Sequence, residues 1–174
     1  MAYHAQHTTI VNVSPYPSAG SGRRPLDKKA PRDMLDKHSL RKKSVFVTGC
    51  STGIGRALAL EFNARGCSVL ATARNVDCLE DLRAIGISTA AADVCEPATL
   101  AAAVAAFGPI DVCIANAGVS GMMPLIEQDI ADITRIFATN VAGVVATAQA
   151  VAPSMIERRS GGAFELIDRA VGSR

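Results

Sequence analysis

The chain has 174 residues and a mass of 18.1 kDa, with 49% hydrophobic and only 4% aromatic residues. This length suits one domain with a tail, and the composition excludes a wholly disordered chain and a collagen-like repeat. The formal charge of +2 is uneven: residues 1–43 hold nine Lys and Arg against three Asp, and residues 44–174 hold nine Arg against thirteen Asp and Glu. Because the body is acidic, it lacks the positive face that nucleic acids require, and no nucleic-acid partner is expected.

Residues 1–43 are predicted to form a basic, flexible tail. The opening segment MAYHAQHTTI has no apolar stretch typical of a secretory signal. Residues 1–26 lack acidic residues and contain Ser, Thr and Arg, a composition similar to that of an organellar transit peptide. A solvated, proline-containing tail on a cytoplasmic protein is the favoured interpretation, and targeting to an organelle is the alternative.

Five short apolar runs alternate with helical patterns along the body, residues 44–174. The runs predict strands at 44–48, 67–72, 87–92, 110–115 and 163–167. Helices are predicted at 54–65, 76–85, 97–107 and 130–155. This alternation predicts an α/β fold, a Rossmann-like doubly wound parallel sheet of about five strands with helices on both faces.

The longest uncharged stretch of the body runs from residue 136 to residue 156 and is long enough to cross a bilayer. It contains Asn140, Gln149 and Pro153, and its apolar residues are mostly Ala and Val. This composition favours a buried helix of a globular body, so no transmembrane span is expected.

The cysteines predict structural thiols. The chain has five, an odd number, and none stands in a CxxC pair. The body also lacks His, so a zinc site would have too few ligands, and no metal site is expected. We expect all five to be reduced and to fill small gaps in the core.

A glycine-rich loop, TGCSTGIG, lies between the first predicted strand of the body and the first helix. In this context Gly49 permits a tight turn, Gly53 lets a pyrophosphate approach the backbone, and Gly55 lets helix and strand pack closely. The helix N-terminus supplies N–H groups and partial positive charge for phosphates. The loop predicts a dinucleotide site, and glycines that only shape a turn are the alternative.

The end of the next strand bears on the choice of cofactor. An NAD site usually has Asp or Glu there, to bind the ribose hydroxyls. This chain has Arg74, whose guanidinium can hold a 2′-phosphate. The residue favours NADP(H), and an ordinary exposed arginine is the alternative.

Four motifs follow one another in order: Thr48–Gly55, Asp93-Val94, Asn116-Ala117-Gly118 and Asn140-Val141-Ala142-Gly143. Together they resemble the short-chain dehydrogenase/reductase family, over residues 44–162. The segments VFVTGCSTGIGRALALEF and VLATAR are similar to the NADP-preferring branch, which includes acyl-dihydroxyacetone-phosphate reductases and hydroxysteroid or retinol dehydrogenases.

The resemblance implies roles for individual residues. The cofactor pyrophosphate would be lined by Gly49, Gly53, Ile54 and Gly55. The 2′-phosphate would meet Ser51 and Arg74. The adenine amine would bind Asp93. The adenosine ribose would lie beside Asn116, Ala117 and Gly118.

Asn140 matches the family's Asn that supports a proton-relay water. If the resemblance is set aside, Asp93 is only a carboxylate at a strand end, and Asn140 is a polar residue in an apolar helix.

The chain departs from the family at its catalytic residues. The family uses a Ser after the fifth strand and a Tyr and Lys on the following helix, whereas the body has neither Tyr nor Lys. Asp168 and Arg169 occupy the two Ser positions. We therefore expect a domain truncated before the catalytic helix, with marginal stability and with its fifth strand as an open edge of the sheet.

The expected function is NADP(H)-dependent hydride transfer between the nicotinamide and a small carbonyl or alcohol substrate, for which a lipid-like compound is one option. This chain alone is expected to lack turnover. The alternative is a catalytically silent NADP(H)-binding module, or a partner of a full-length relative. A homo- or hetero-oligomer is compatible with either interpretation.

Overall fold

The computed structural model describes residues 8–11, 41–121 and 123–166. Their strands form one six-stranded sheet: β1 (Thr8–Val11), β2 (Ser44–Val47), β3 (Ser68–Ala73), β4 (Ser88–Ala91), β5 (Val112–Ala115) and β6 (Gly162–Leu166). The five strands predicted in the body correspond to β2–β6.

The helices of these ranges are α1 (Gly53–Ala64), α2 (Glu80–Ala84), α3 (Pro97–Phe107), α4 (Ile130–Phe137) and α5 (Gly143–Glu157). Short 3₁₀ turns cover Val76–Leu79 and Leu125–Glu127, and a π-helical turn, Ala138–Ala142, joins α4 to α5. Proline at the first position of α3 is compatible with a helix start because its missing N–H would have no intrahelical partner there.

The sheet has the strand order β1-β6-β5-β2-β3-β4. The five strands from β6 to β4 pair in parallel, which confirms the predicted Rossmann-like sheet. From β2 the chain adds β3 and β4 on one side, and then crosses over to add β5 and β6 on the other. The reversal creates a crevice beyond the carboxyl ends of β2 and β5, where ligands of such sheets bind.

The sheet separates two layers of buried side chains, as alternate residues of each strand point to opposite faces. Val45, Val47 and Ala71 face the layer that holds Phe62 of α1 and Leu82 of α2. On the other face, buried strand and helix side chains pack together: Phe46, Leu70, Cys113, Leu100, Val151 and Met155. Helices on both faces explain why β2, β3 and β5 are nearly continuous apolar runs.

β1 differs from the sequence prediction, which placed residues 1–43 in a flexible tail. It pairs antiparallel with β6, with Thr8 opposite Leu166 and Val11 opposite Ala163. The expectation that β6 forms an open edge is therefore wrong, because the N-terminal strand covers it. Residues 1–7 and 12–40 of the predicted tail lie outside the described residues.

The uncharged stretch 136–156, which was predicted to be a buried helix, lies in the helical segment Ile130–Glu157, and the prediction is only partly correct. Helix α4 has no buried residue, whereas α5 buries one side against the sheet through Gly143, Ala146, Thr147, Val151 and Met155. The segment spans 28 residues and is long and apolar enough to cross a bilayer, by length and composition only. The packing of α5 on the sheet favours a core helix of a globular body.

Candidate functional site: a nucleotide cleft at the strand crossover

A cleft of about 380 Å³ opens at the carboxyl ends of the strands. It contains seven of the residues assigned to the cofactor from sequence: Gly49, Ser51, Arg74, Asp93, Asn116, Ala117 and Gly118. The topology explains this convergence, because the segments that follow β2, β3, β4 and β5 all reach the same edge of a parallel sheet.

Two glycines of the loop allow close packing at the crossover. Gly49 has a φ of +72°, and a Cβ there would lie 2.8 Å from the Cα of Ala117. A Cβ on Gly55 would lie 2.6 Å from the carbonyl oxygen of Gly49. Gly55 is buried and does not line the cleft, so it shapes the loop rather than facing a ligand.

The N-terminus of α1 fits a phosphate group. Its N-cap residue, Thr52, is extended, makes no side-chain cap bond, and is followed by no acidic residue in the first turn. The first N–H groups of a helix lack intrahelical partners and attract anions. A Cβ on Gly53 would meet nothing within 4 Å, so there is open space beside this end of the helix. Ile54 follows in the first turn, where its side chain is exposed and lies outside the cleft lining.

A buried hydroxyl joins the loop to the end of β5. The Oγ1 of Thr48 accepts hydrogen bonds from the backbone N–H groups of Asn116 and Ala117, both at 3.1 Å. In return, the Nδ2 of Asn116 donates to the carbonyl oxygens of Thr48 at 2.9 Å and Gly49 at 3.3 Å. These bonds hold the two walls of the crevice together.

Arg74 follows the last residue of β3 and lines the cleft with Ser51. Within the described part of the chain it has no carboxylate partner, whereas Arg56, Arg65, Arg83, Arg135 and Arg158 all form ion pairs. An unpaired guanidinium in a cleft is available to a planar anion such as a phosphate.

Asp93 lies in the connection from β4 to α3 and lines the cleft. Its Oδ1 accepts the backbone N–H of Cys95 at 2.9 Å, and its own N–H donates to the Oγ1 of Thr99 at 3.0 Å. Both bonds fix the carboxylate-bearing turn, so this residue is held in place by its local backbone.

Asn140 lies in the π-helical turn and binds the backbone of the loop after β5. Its Oδ1 accepts the N–H of Val119 and its Nδ2 donates to the carbonyl oxygen of the same residue, both at 2.8 Å. The amide therefore holds the loop that lines the cleft. Its assignment to a proton-relay water stays a prediction.

The structure adds lining residues that sequence reasoning missed: Thr48, Thr52, Ala73, Ala92, Val94, Cys95, Val119, Arg135 and Thr139. Most are neighbours of residues that were identified. Arg135 is different, because α4 brings it to the cleft from a distant part of the chain, where it pairs with Asp132 at 3.0 Å. No motif in the sequence marks that position.

All five cysteines lie in the described ranges and are thiols rather than disulfides. Burial raises the pKa of Cys50 and of Cys113 to about 12, so both thiols stay protonated and inert at neutral pH. Cys67 is also buried, and burial raises its pKa. Cys78 and Cys95 are exposed, which corrects the expectation that all five fill the core.

The fold and cleft define a class of protein. The family model described as short chain dehydrogenase matches residues 43–164. The chain belongs to the short-chain dehydrogenase/reductase family, whose members bind a nicotinamide cofactor and act on small molecules.

Two curated relatives and a solved structure illustrate the likeness. Dehydrogenase/reductase SDR family member 7B of Mus musculus is 38% identical over 137 residues, which cover 70% of this chain and 42% of the relative. The NADPH-dependent 1-acyldihydroxyacetone phosphate reductase of Schizosaccharomyces pombe is 38% identical over 110 residues, 60% of this chain and 37% of the relative.

A crystal structure of a short-chain dehydrogenase from Streptomyces avermitilis superposes with a TM-score of 0.65 and 31% identity, and covers 69% of this chain and 47% of that one. The chain thus spans about half the length, or less, of the relatives it matches.

Proposed function

We propose that this chain binds NADP(H) in the cleft at the strand crossover. The observation that carries the proposal is Arg74, a guanidinium at the end of β3 that lines the cleft and has no carboxylate partner among the described residues. A 2′-phosphate distinguishes NADP(H) from NAD(H), and a planar cation at this place favours the phosphate. The NADPH-dependent reductase of Schizosaccharomyces pombe adds support by similarity.

In this proposal the N-terminus of α1 receives the pyrophosphate, and Ser51 with Arg74 binds the 2′-phosphate. Asp93 binds the adenine amine, and the segment Asn116–Gly118 lies beside the ribose. The cofactor, when bound, supplies or accepts a hydride. The chain's own residues bind and orient the cofactor. The hydrogen bonds between Thr48 and Asn116 fix the distance between the glycine-rich loop and the end of β5.

We propose that the family activity is hydride transfer to or from a small carbonyl or alcohol substrate, and that this chain alone does not turn over. Its residues 44–174 contain no Tyr, Lys or His. The phenol with a lowered pKa that serves the family as proton donor therefore has no counterpart in residues 44–174.

The alternative function is a cofactor-binding module that associates with another chain of its family, as a homo- or hetero-oligomer. An exposed apolar row along α4, the π-helical turn and α5 favours this alternative. Ile130, Phe137, Val141 and Val145 are 72%, 62%, 54% and 52% exposed. Contiguous apolar surface of this kind is typical of interaction sites.

The test is to measure the affinity of the purified chain for NADPH and NADH by calorimetry. We expect tighter binding of NADPH, and Arg74→Ala to weaken NADPH binding by roughly 10- to 100-fold, because a hydrogen bond to a charged group contributes about 1.5–3 kcal/mol. NADH binding should change little.

Arg83→Ala is the matched control, because Arg83 is a surface arginine paired with Glu80 and lies outside the cleft lining. Equal affinity for the two cofactors, or an equal loss in both variants, would contradict the proposal. Absorbance at 340 nm with carbonyl substrates should detect no oxidation of NADPH. Measurable turnover would refute the proposal that this chain alone is inactive.

A further inference from the structure

Arg56 connects the two elements that flank the proposed 2′-phosphate site. It lies in the first turns of α1, directly after Gly55, and its side chain crosses to the segment that follows β3. There its Nη1 donates to the carbonyl oxygen of Cys78 at 3.1 Å, and its Nη2 forms an ion pair with the Oδ2 of Asp81.

The segment that Arg56 contacts begins at Arg74. Asn75 caps the 3₁₀ turn by accepting the N–H of Asp77 on its Oδ1 at 3.0 Å, and the turn leads into α2. Arg74 is therefore followed by a short, hydrogen-bonded unit rather than a loose loop. Arg56 fastens this unit to the first turns of α1.

The contact has a direct bearing on the cleft. Ser51, the N-cap residue Thr52 of α1 and Arg74 all line the cleft. A guanidinium binds phosphate well only when its distance and plane are fixed, because ordering a long side chain costs conformational entropy. The contact of Arg56 with the segment after β3 reduces the entropy that Arg74 loses on binding phosphate, because it holds that segment against α1.

The charge environment supports this assignment. Arg56 is 25% exposed at its side chain, and Asp81 is 66% exposed. The hydrogen bond from Arg56, together with its positive charge, lowers the pKa of Asp81, so the carboxylate is ionised at neutral pH. An exposed ion pair contributes little to the free energy of unfolding. Its main effect here is to position the segment that bears Arg74.

We propose that Arg56 is a positioning residue that sets the preference for NADP(H) by holding the segment bearing Arg74 against α1. The inference rests on the proposed function. Arg56 does not line the cleft, so it acts on the phosphate only through Arg74.

The test compares Arg56→Ala with Arg83→Ala, which removes a second surface ion pair of the same region but does not reach α1. We expect the Kd for NADPH to rise roughly three- to tenfold in Arg56→Ala, with the Kd for NADH changing less than about twofold. Arg56→Lys, which keeps the positive charge but loses the planar fork of the guanidinium, should recover part of the affinity. Arg83→Ala should resemble the unmodified chain.

A double variant identifies the route of the effect. If Arg56 acts through Arg74, then Arg56→Ala/Arg74→Ala binds NADPH no more weakly than Arg74→Ala alone, because the two effects are not additive. Additive losses, or equal losses for NADPH and NADH in Arg56→Ala, would overturn the inference while leaving the proposed function intact. A chain that does not prefer NADPH, or whose preference is unchanged by Arg74→Ala, would instead refute the proposed function.

Discussion

The hydroxyl of the single residue Thr48 joins the glycine-rich loop to the end of β5 and so holds the cleft in shape. It is 1% exposed and accepts two backbone hydrogen bonds from the end of β5. Thr48→Val keeps the shape but removes the acceptor of the Ala117 N–H group, whereas the Asn116 N–H group keeps a second acceptor, the carbonyl oxygen of Ile114 at 3.0 Å. A buried N–H group without a partner costs about 1–3 kcal/mol. Because the Ala117 N–H group lies at the rim of a cleft that water can enter, we expect a loss of about 1–3 kcal/mol in the free energy of unfolding, measured by urea denaturation.

Thr72→Val is the control for this prediction. Thr72 is equally buried, on the neighbouring strand, but its hydroxyl makes one long bond of 3.4 Å to the carbonyl oxygen of Val47. We expect a smaller loss there. If the two variants are equally destabilised, the loss of stability in Thr48→Val does not come from the hydrogen bonds between the loop and the end of β5.

At the residue scale the sequence predicted those positions whose chemistry is tied to a local pattern. Gly49, Gly53 and Gly55 stand in one loop, and Arg74 directly follows an apolar run, so their places at the strand ends could be inferred. Cys95 and Arg135 could not be assigned to the cleft, since their positions depend on how α3 and α4 pack across the sheet. For the same reason, the exposure of Cys78 could not be inferred from its spacing.

Among the secondary-structure elements, the π-helical turn Ala138–Ala142 holds the loop after β5 in place. It contains Asn140, whose two bonds to Val119 join the helical segment to the loop after β5. Asn140→Ala removes both bonds, and we expect a loss of about 1–3 kcal/mol in stability. Amide hydrogen exchange should accelerate at residues 116–121, where the loop loses its anchor.

Thr134→Ala serves as the comparison for Asn140→Ala. Its hydroxyl donates to the carbonyl oxygen of Ile130 at 2.8 Å within the exposed face of α4, so its loss stays within the helix. Exchange in residues 116–121 should be unchanged in that variant. Unchanged exchange in Asn140→Ala as well would mean that the loop is held by other contacts.

Most elements were predictable because their signals are local. Buried parallel strands are short apolar runs, and α3 matches its predicted bounds at both ends. The long predicted helix at 130–155 is interrupted by a π-helical turn, which depends on contacts with Val119 rather than on helix propensity. β1 was missed because its pairing partner, β6, lies at the other end of the chain.

At the scale of the molecule, the described residues leave the apolar row along α4, the π-helical turn and α5 exposed, which predicts association in solution. We expect concentration-dependent dimers in sedimentation equilibrium. Phe137→Ser should weaken association by about tenfold or more, because loss of a buried aromatic anchor costs more than 1 kcal/mol and a two-fold symmetric contact contains it twice.

Ile85→Ser gives the matched comparison, since Ile85 is 53% exposed but lies after α2, away from the apolar row. It should leave association unchanged. A purely monomeric chain, or an equal effect of the two substitutions, would argue against an interface on the apolar row.

The pairing of β1 with β6 also determines when the sheet is completed. Thr8–Val11 is synthesised before β2–β5, and its partner Gly162–Leu166 is synthesised after them. At usual rates of translation the interval is on the order of ten seconds. Through that time β2–β5 can assemble with their helices, but this edge cannot close. The order of assembly therefore differs from the order of strands in the chain, with the first strand among the last to join the sheet.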